Sequence, residues 1–487
     1  MNDIRYAFRM LGNKPGFSTI AVLVLALAIG GNTAMFSVVN ALALRPLTAR
    51  NPKELVGCYS RENKPQGSYR SFSYPNYVDI REKNTVFSSL MAHSVTMVGV
   101  TEGEATRRTF AAMVSANYFS TFGTRLAAGR EFTAAEEKPG SAVPVAIASH
   151  GYWRKMGSDP ALVGKTVRLN NRVFTIIGIA PEYFTGTSAV FSPEFWLPLG
   201  DYELLATDYM SEEKRSLSDR ANHCLMLVGR LKPGLDMARG QAQLGSLASQ
   251  LESAFPEINQ DRVLVLAELP RLAISTNPIH DQTGSMTIIL LSMSGVVLLI
   301  ACLNLANMLL ARGASRRKEI AIRTALGGAR SRIVRQLLTE GLVLSLLGGG
   351  VGLLLAYAGT NLLVSSMAPR MPFMTIQFPS SPDWRVLAAT LCFCLFSTLL
   401  FGFGPAWKLA RADVNHELKE QGGVSGAGAR RRLIAPRDLV IITQIALSLA
   451  LLTAAGLFTR AALKAAKADP GFGMESGLLA EAPGKAG

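Results

Sequence analysis

The chain has 487 residues, of which 49% are hydrophobic and only 17% charged, against about 25% charged in an ordinary soluble domain. That balance excludes an all-soluble enzyme, a disordered chain and a collagen-like rod. Fifty Lys and Arg against 35 Asp and Glu leave a formal charge of +15, and five cysteines are too few for a disulfide scaffold.

The first element predicted is a membrane span over Ser18 to Leu44, a stretch without a charge that reaches about 40 Å as a helix and therefore crosses a bilayer with tilt. Arg5, Arg9 and Lys14 precede it, but its apolar length exceeds that of a signal-peptide core, so it reads as a retained span. Leu55-Val56-Gly57-Cys58 resembles a lipidation box only superficially, because Lys53 and Glu54 stand where an apolar run belongs.

Residues 45–285 carry 26 basic and 24 acidic residues and are long enough for a large α+β domain with its own core. Within it, Tyr74 to Asn84 reads as a helix with Pro75 just inside its start. Thr166 to Leu169 and Val173 to Ile177 flank Asn170-Asn171 and read as a β-hairpin. A strand over His223 to Leu231, a turn at Pro233-Gly234, an amphipathic helix over Met237 to Phe255 and a strand over Val263 to Leu269 make a β-α-β unit. The helix places Ala238, Ala242, Leu244, Leu247, Leu251 and Phe255 largely on one face.

Signals for chemistry in this domain are weak. Val163-Gly164-Lys165-Thr166 looks like the end of a phosphate-binding loop, but Asp159 occupies the position of the first glycine and the segment leads into a strand. His93, His150, His223, His280 and His416 are scattered without metal-ligand spacing, and Ser141 and Ser149 lie in no nucleophile elbow. No catalytic residue, cofactor site or metal site is expected. Cys58 and Cys224 fall outside the apolar runs and give a weak pairing signal, while Cys302, Cys392 and Cys394 sit inside spans and read as small apolar packing residues.

Four more spans are predicted at Met286 to Ala311, Leu337 to Met367, Val386 to Trp407 and Leu439 to Thr459, interrupted only by Glu340. Residues 312–336 hold eight basic residues against Glu319 alone, and Lys408 to Asp438 hold seven against four, whereas the segment between the third and fourth spans has only Arg370 and Arg385. Basic residues are retained on the cytoplasmic side, so the N-terminus and the two basic segments are expected inside and the large domain outside. The basic pI then reflects topology and not nucleic-acid binding, for which a soluble basic patch with stacking aromatics is wanted.

Arg316-Arg317-Lys318-Glu319-Ile320-Ala321-Ile322-Arg323-Thr324-Ala325-Leu326-Gly327-Gly328 reads as a short helix along the membrane face, stopped by its glycines. Glu319 and Arg323 are spaced to pair. Physical chemistry alone leaves two readings open, headgroup anchoring and a docking surface for a cytoplasmic protein. Within the spans, Gly30, Gly31, Asn32, Asn304, Gly348 and Gly352 are suited to close helix packing, a reading favoured over a substrate path or hinge.

Several stretches carry a family resemblance. Arg5 to Leu11 with Pro15-Gly16-Phe17, and Gly30 to Asn40, resemble the opening of ABC-transporter permeases of the MacB/FtsX type, most closely the duplicated acidobacterial orphan permease subgroup. Asn117-Tyr118-Phe119, Gly129-Arg130-Glu131-Phe132, Leu162 to Lys165 and Gly178-Ile179-Ala180-Pro181 resemble the periplasmic core domain of that family. Arg316 to Gly328 is similar to its coupling loop, and Phe401 to Ala406 to the end of its fourth helix.

The resemblance implies a transmembrane subunit with one helix, a large periplasmic domain and then three helices, so with the fifth apolar run the expectation is an α-helical multi-pass membrane protein of five predicted spans with a large α+β periplasmic domain, in the bacterial inner membrane. Its parts are a cytoplasmic N-terminus and first helix (1–44), a periplasmic core domain (45–285), an FtsX-like three-helix domain (286–411) with coupling loop 312–336, a basic linker (412–438), and a fifth helix with a short external tail (439–487). It further implies no enzymatic activity of its own, a separate cytoplasmic ABC ATPase as partner, a homo- or hetero-dimer of permease subunits, and an external adaptor or cargo. ATP-driven closure of the ATPases would pass through Arg316, Arg317, Lys318, Glu319, Ile320, Arg323, Leu326 and Gly327 to move the periplasmic domain for efflux or export. Alternatives are a membrane regulator of an external enzyme, a ligand-sensing receptor, or a truncated inactive permease. In the duplicated subgroup a segment like Asp438 to Phe472 opens a second repeat, so a truncated gene or a split partner is expected ahead of a natural five-span permease.

Overall fold

The computed structural model describes residues 5, 7, 9, 11–13, 15–45, 48–103, 105–188, 191–205, 216–270, 276–278, 283–325, 330–367, 375–376, 384–400 and 436–466. The chain divides into two compact units, one drawn from residues 1–29, 294–350 and 391–487 and the other from 30–293 and 351–390.

The second unit is built on an eleven-stranded mixed sheet. In chain order its strands are β1 (Leu55–Glu62), β2 (Tyr69–Arg70), β3 (Phe87–Glu102), β4 (Ala105–Val114), β5 (Ala128–Gly129), β6 (Val145–Ala148), β7 (Thr166–Leu169) and β8 (Arg172–Ile179). After β9 (Phe191–Ser192), which pairs elsewhere, come β10 (Phe195–Pro198), β11 (Met226–Leu231) and β12 (Arg262–Ala267). They lie in the order β12-β1-β11-β3-β4-β10-β6-β8-β5, with β2 on β1 and β7 joined to both β3 and β8.

The sixteen-residue β3 unites the sheet, pairing β11 through Phe87 to His93, β4 from His93 to Glu102, and β7 at Val100 and Thr101. Successive side chains of a strand point to opposite faces. Accordingly Ala111 and Met113 of β4 enter one buried cluster, while Ala112 and Val114 enter the other. Both faces are covered, which explains the unbroken apolar run at the end of β4.

The local signals in the sequence correspond to observed elements. Ser73 caps the helix Tyr74–Lys83 by accepting from the Asn76 N–H, and Asn84 ends it. Asn170 and Asn171 both have positive φ, 48° and 62°, the backbone that a two-residue hairpin turn between β7 and β8 requires. The helix Met237–Ala254 buries Gly240, Leu244, Leu247, Ala248 and Leu251. Ala238 and Ala242, assigned to the buried face from the sequence, are exposed. The face is centred on Gly240, whose missing Cβ lets Leu266 and Val86 approach. The β-α-β unit is split: β1 lies between β11 and β12 and is antiparallel to both. Cys58 and Cys224 are free thiols, so that weak pairing signal is not realised.

The apolar helices are α1 (Pro15–Val39), α2 (Thr283–Ala325), α3 (Arg330–Met367), α4 (Trp384–Thr398) and α5 (Pro436–Ala466). Among the described residues four stretches are long and apolar enough to cross a membrane: Pro15–Leu44, Gly284–Met308, Val334–Leu362 and Gln444–Ala461. Trp384–Thr398 is apolar but shorter, and residues 401–407 of the span expected there lie outside the described residues. In the first unit α1 packs Ala21, Leu25, Ala28 and Ile29 against Leu298, Ala301, Cys302 and Leu305 of α2, Leu344 of α3 and Cys394 of α4.

The basic segment departs from the sequence reading. Instead of a separate short helix, Arg312 to Ala325 continues α2 without a break, giving one helix of 43 residues. Gly313 is the only helix-disfavouring glycine between Ala311 and Ala325, too little to interrupt a run otherwise rich in Ala, Arg, Lys and Glu. The helix resumes at Arg330, and the expected glycine stop at Gly327-Gly328 lies outside the described residues.

Candidate functional site

A helix of 43 residues is about 65 Å long, roughly twice the thickness of a bilayer's hydrocarbon core. The apolar stretch of α2 ends at Met308, so the helix continues about 26 Å further to Ala325. Arg316, Arg317, Lys318, Glu319, Ile320 and Arg323 all lie on this continuation. Leu326 and Gly327 lie outside the described residues. The basic segment is thus joined to a span by an unbroken ladder of backbone hydrogen bonds.

The glycines singled out in the spans divide into two kinds. A Cβ on Gly30 would stand 2.8 Å from the Gly352 carbonyl oxygen and 3.0 Å from its Cα, so backbone meets backbone there. A Cβ on Gly348 would stand 2.6 Å from the Leu25 Cβ. Gly348 and Gly352 are one turn apart on α3, the small-xxx-small spacing that lets helices approach closely. Gly31 has open space around its Cβ position. Asn32 is buried, and Asn304 accepts a hydrogen bond from the Gln444 side chain of α5.

Hydroxyls join the helices as well. Thr33 of α1 and Thr390 of α4 are 3.1 Å apart, and Ser345 of α3 and Thr398 of α4 are 2.6 Å apart. The Cys394 thiol donates to the Ser345 carbonyl at 3.3 Å.

Within the second unit several contacts gather where α1 ends. The helix finishes in a π turn, Asn40–Leu44, closed by the Arg45 N–H donating to the Asn40 carbonyl at 2.7 Å. Arg385, in the first turn of α4, donates to the Leu44 carbonyl at 2.7 Å, a cation on the carbonyl end of a helix. Arg45 stacks over the Tyr183 ring at 5.4 Å, and the Thr48 hydroxyl donates to the Tyr183 carbonyl at 3.0 Å. Arg230 of β11 then gathers the entering chain. It donates to the Arg50 carbonyl at 2.7 Å, to Glu54 at 2.8 Å and to the carbonyls of Thr121 and Phe122. Finally, β13 (Thr375–Ile376), from the segment between α3 and α4, pairs antiparallel with β9, Thr375 opposite Ser192 and Ile376 opposite Phe191. Sequence reasoning noted Arg385 only as a sparse charge and missed the ribbon, since two residues give no period.

Ionisable groups inside the domain serve structure. Glu137 is buried and accepts from Arg81, from the Tyr74 hydroxyl and from the Ala116 N–H. Burial pushes the His93 imidazole down to about 4, so it is neutral, and the Cys58 thiol up to about 12. Asp201 is fully buried and neither carboxylate oxygen has a hydrogen-bond partner. Burial, reinforced by nearby Glu136 and opposed by Arg172, raises it to about 7.

Ser149 caps a short helix, and the Ser141 hydroxyl donates to the Glu136 carbonyl, so neither is poised as a nucleophile. Lys165 pairs with Asp159, and Thr166 opens β7 where a phosphate-binding loop would open a helix. Among the described residues no group of three His, Cys, Asp or Glu side chains comes together to hold a metal.

Residues 18–247 match the MacB-like periplasmic core domain and residues 291–414 the FtsX-like permease C-terminal domain. The chain thus carries a MacB-like periplasmic core domain and an FtsX-like permease domain. It is similar to the uncharacterized ABC transporter permease YknZ of Bacillus subtilis, 26% identical over 300 residues, covering 62% of this chain and 67% of that one. It is also similar to the macrolide export ATP-binding/permease protein MacB of Sodalis glossinidius, 28% identical over 309 residues, and of Escherichia coli K12, 27% over 304. In each MacB case the match spans 42% of the relative's length.

Among solved structures, a domain of a Porphyromonas gingivalis permease protein aligns with 47% of the chain at 18% identity and TM-score 0.34. The periplasmic region of MacB from Actinobacillus actinomycetemcomitans aligns with 45% at 12% identity and TM-score 0.32. Both matched domains are permease parts, which supports a transporter-permease role.

Proposed function

We propose that this MacB/FtsX-type permease is moved by a separate cytoplasmic ABC ATPase and converts that motion into displacement of its periplasmic core domain, driving efflux or export. The observation that carries the reading is the unbroken helix Thr283–Ala325, which joins the domain side of a span to the basic segment in one rod. A rod of hydrogen-bonded backbone transmits a push at Arg316 to Arg323 with little loss, where a jointed loop would absorb it. Arg316, Arg317, Lys318, Glu319, Ile320, Arg323, Leu326 and Gly327 form the docking surface in this account. The orientation assigned to the chain follows from its charge distribution, which favours retention of the basic segment inside.

A subunit of this kind works as a homo- or hetero-dimer, and its core domain meets cargo or an adaptor in the periplasm of a bacterial inner membrane. Assignment to the duplicated acidobacterial subgroup rests on Arg5 to Asn40 and Asp438 to Phe472, and is tested by whether the neighbouring coding region supplies a second repeat and an ATPase.

The test of docking is co-purification from membranes with its cytoplasmic ABC ATPase. Replacing Arg317, Glu319 and Arg323 together by Ala should abolish it while leaving the amount of permease in the membrane unchanged. Unaltered co-purification by the triple variant would remove the segment as the docking surface.

A further inference from the structure

The core domain has two covalent connections to the membrane helices, through residues 45–54 from α1 and through the chain that leads from β12 into α2. The structure contains a third connection that is not covalent. The segment between α3 and α4 contributes β13, which lies as an antiparallel partner on β9. A few residues later Arg385 holds the last carbonyl of α1's π turn. One turn and a half further along α4, Thr390 bonds Thr33 of α1. Arg45, directly after the π turn, stacks on Tyr183, and the Tyr183 carbonyl accepts from Thr48. The outer ends of α1, α3 and α4 accordingly fall in one compact unit with the core domain.

We propose that the β13–β9 ribbon and the Arg385 cap on α1 act together as a strap. They bind the core domain to the outer ends of the helices, so that the domain and those ends move as one body. The contribution to the transport cycle rests on the reading above, but the strap itself does not.

The chemistry suits a fastening. A guanidinium on free helix-terminal carbonyls makes a charge-assisted hydrogen bond, about twice as strong as a neutral one. The Leu44 carbonyl lies in the last turn of the helix, where no intrahelical N–H remains to reach it, so it is open to accept the guanidinium. The ribbon adds backbone hydrogen bonds that depend on no particular side chain, as when an extended peptide is added to a strand. Arg385 is therefore a positioning residue: it touches no cargo and acts by fixing the end of α1.

The experiment uses the full-length chain, with its native cysteines replaced, in lipid nanodiscs. Directly opposed residues of an antiparallel pair lie within disulfide reach, so Ser192→Cys with Thr375→Cys should cross-link in most molecules on mild oxidation. Absence of the cross-link overturns the strap. Spin labels at Lys232→Cys on the domain and Leu387→Cys on α4 should give a narrow distance distribution. Arg385→Ala combined with Ile376→Pro should broaden it at least twofold, Arg385→Lys should leave it narrow, and the 192–375 disulfide should restore it in the doubly altered chain. A distribution that stays narrow in the doubly altered chain overturns the proposal. Both measurements are made without the ATPase, so a failure of ATPase docking would be read separately and would leave these outcomes standing.

Discussion

Asp201 is the side chain whose burial carries the clearest dependence on pH. Its carboxylate is fully buried without a partner and is raised to about 7, whereas in the unfolded chain it titrates near its ordinary value of about 4. Between those values the folded state holds a proton that the unfolded state releases, so this group's contribution to stability is greatest below about 4, is lost as pH rises to about 7 and is flat above it. Asp201→Asn, which cannot ionise, should stabilise the core domain by on the order of 2 kcal/mol at pH 8 and show no gain near pH 4. Thermal melts at the two pH values check this, and an equal effect at both would contradict the burial account. The sequence offered no sign of it, since a buried acid in Leu199-Gly200-Asp201 looks like any loop aspartate. Ser73, Pro75 and the Asn170-Asn171 pair were legible because their effect is on the backbone within two or three residues.

Adjacent glycines on α1 give the sharpest contrast among the residues of the spans. Gly30→Val would drive a side chain into the Gly352 backbone and should destabilise the helix pair by about 1–3 kcal/mol. Gly31→Val, with open space around it, should stay within about 0.5 kcal/mol of the parent. Melting of the detergent-solubilised proteins measures both. Equal effects would show that the crossing is not where the contacts place it. The sequence named both glycines as packing residues, and only the crossing of α1 and α3 separates them.

Among the elements, the sheet and the long helix were read with different success. Alternation and turn residues located the hairpin, the strand before the helix Met237–Ala254 and the strand after it. Neither the insertion of β1 between β11 and β12 nor the reach of β3 across the sheet follows from local pattern, because both are pairings between distant segments. The basic segment was found as a helix and misjudged as a separate one. Charge marks where a helix leaves the bilayer, not where its hydrogen bonds stop, and Gly313 alone does not end it. Continuity is itself testable. Gly313→Pro breaks the backbone ladder at a cost of about 3 kcal/mol and kinks the rod. It should leave ATPase co-purification intact while abolishing nucleotide-dependent displacement of the core domain, and Gly313→Ala should preserve both. Displacement that persists in the proline variant would show that the rod does not carry the motion.

For the whole molecule, charge distribution, span length and the two family domains point the same way. The large segment 45–285 is nearly neutral, and the excess positive charge lies in the segments assigned to the inner side. A permease that passes motion outward requires the tip of α2 and the core domain to lie on opposite sides of the membrane. Single cysteines at Arg317 and at Lys232, each in a chain otherwise free of cysteine, test this directly with a membrane-impermeant maleimide on intact spheroplasts and on inverted vesicles. Lys232→Cys should label only in the spheroplasts and Arg317→Cys only in the inverted vesicles; labelling of both positions from the same side would contradict the account.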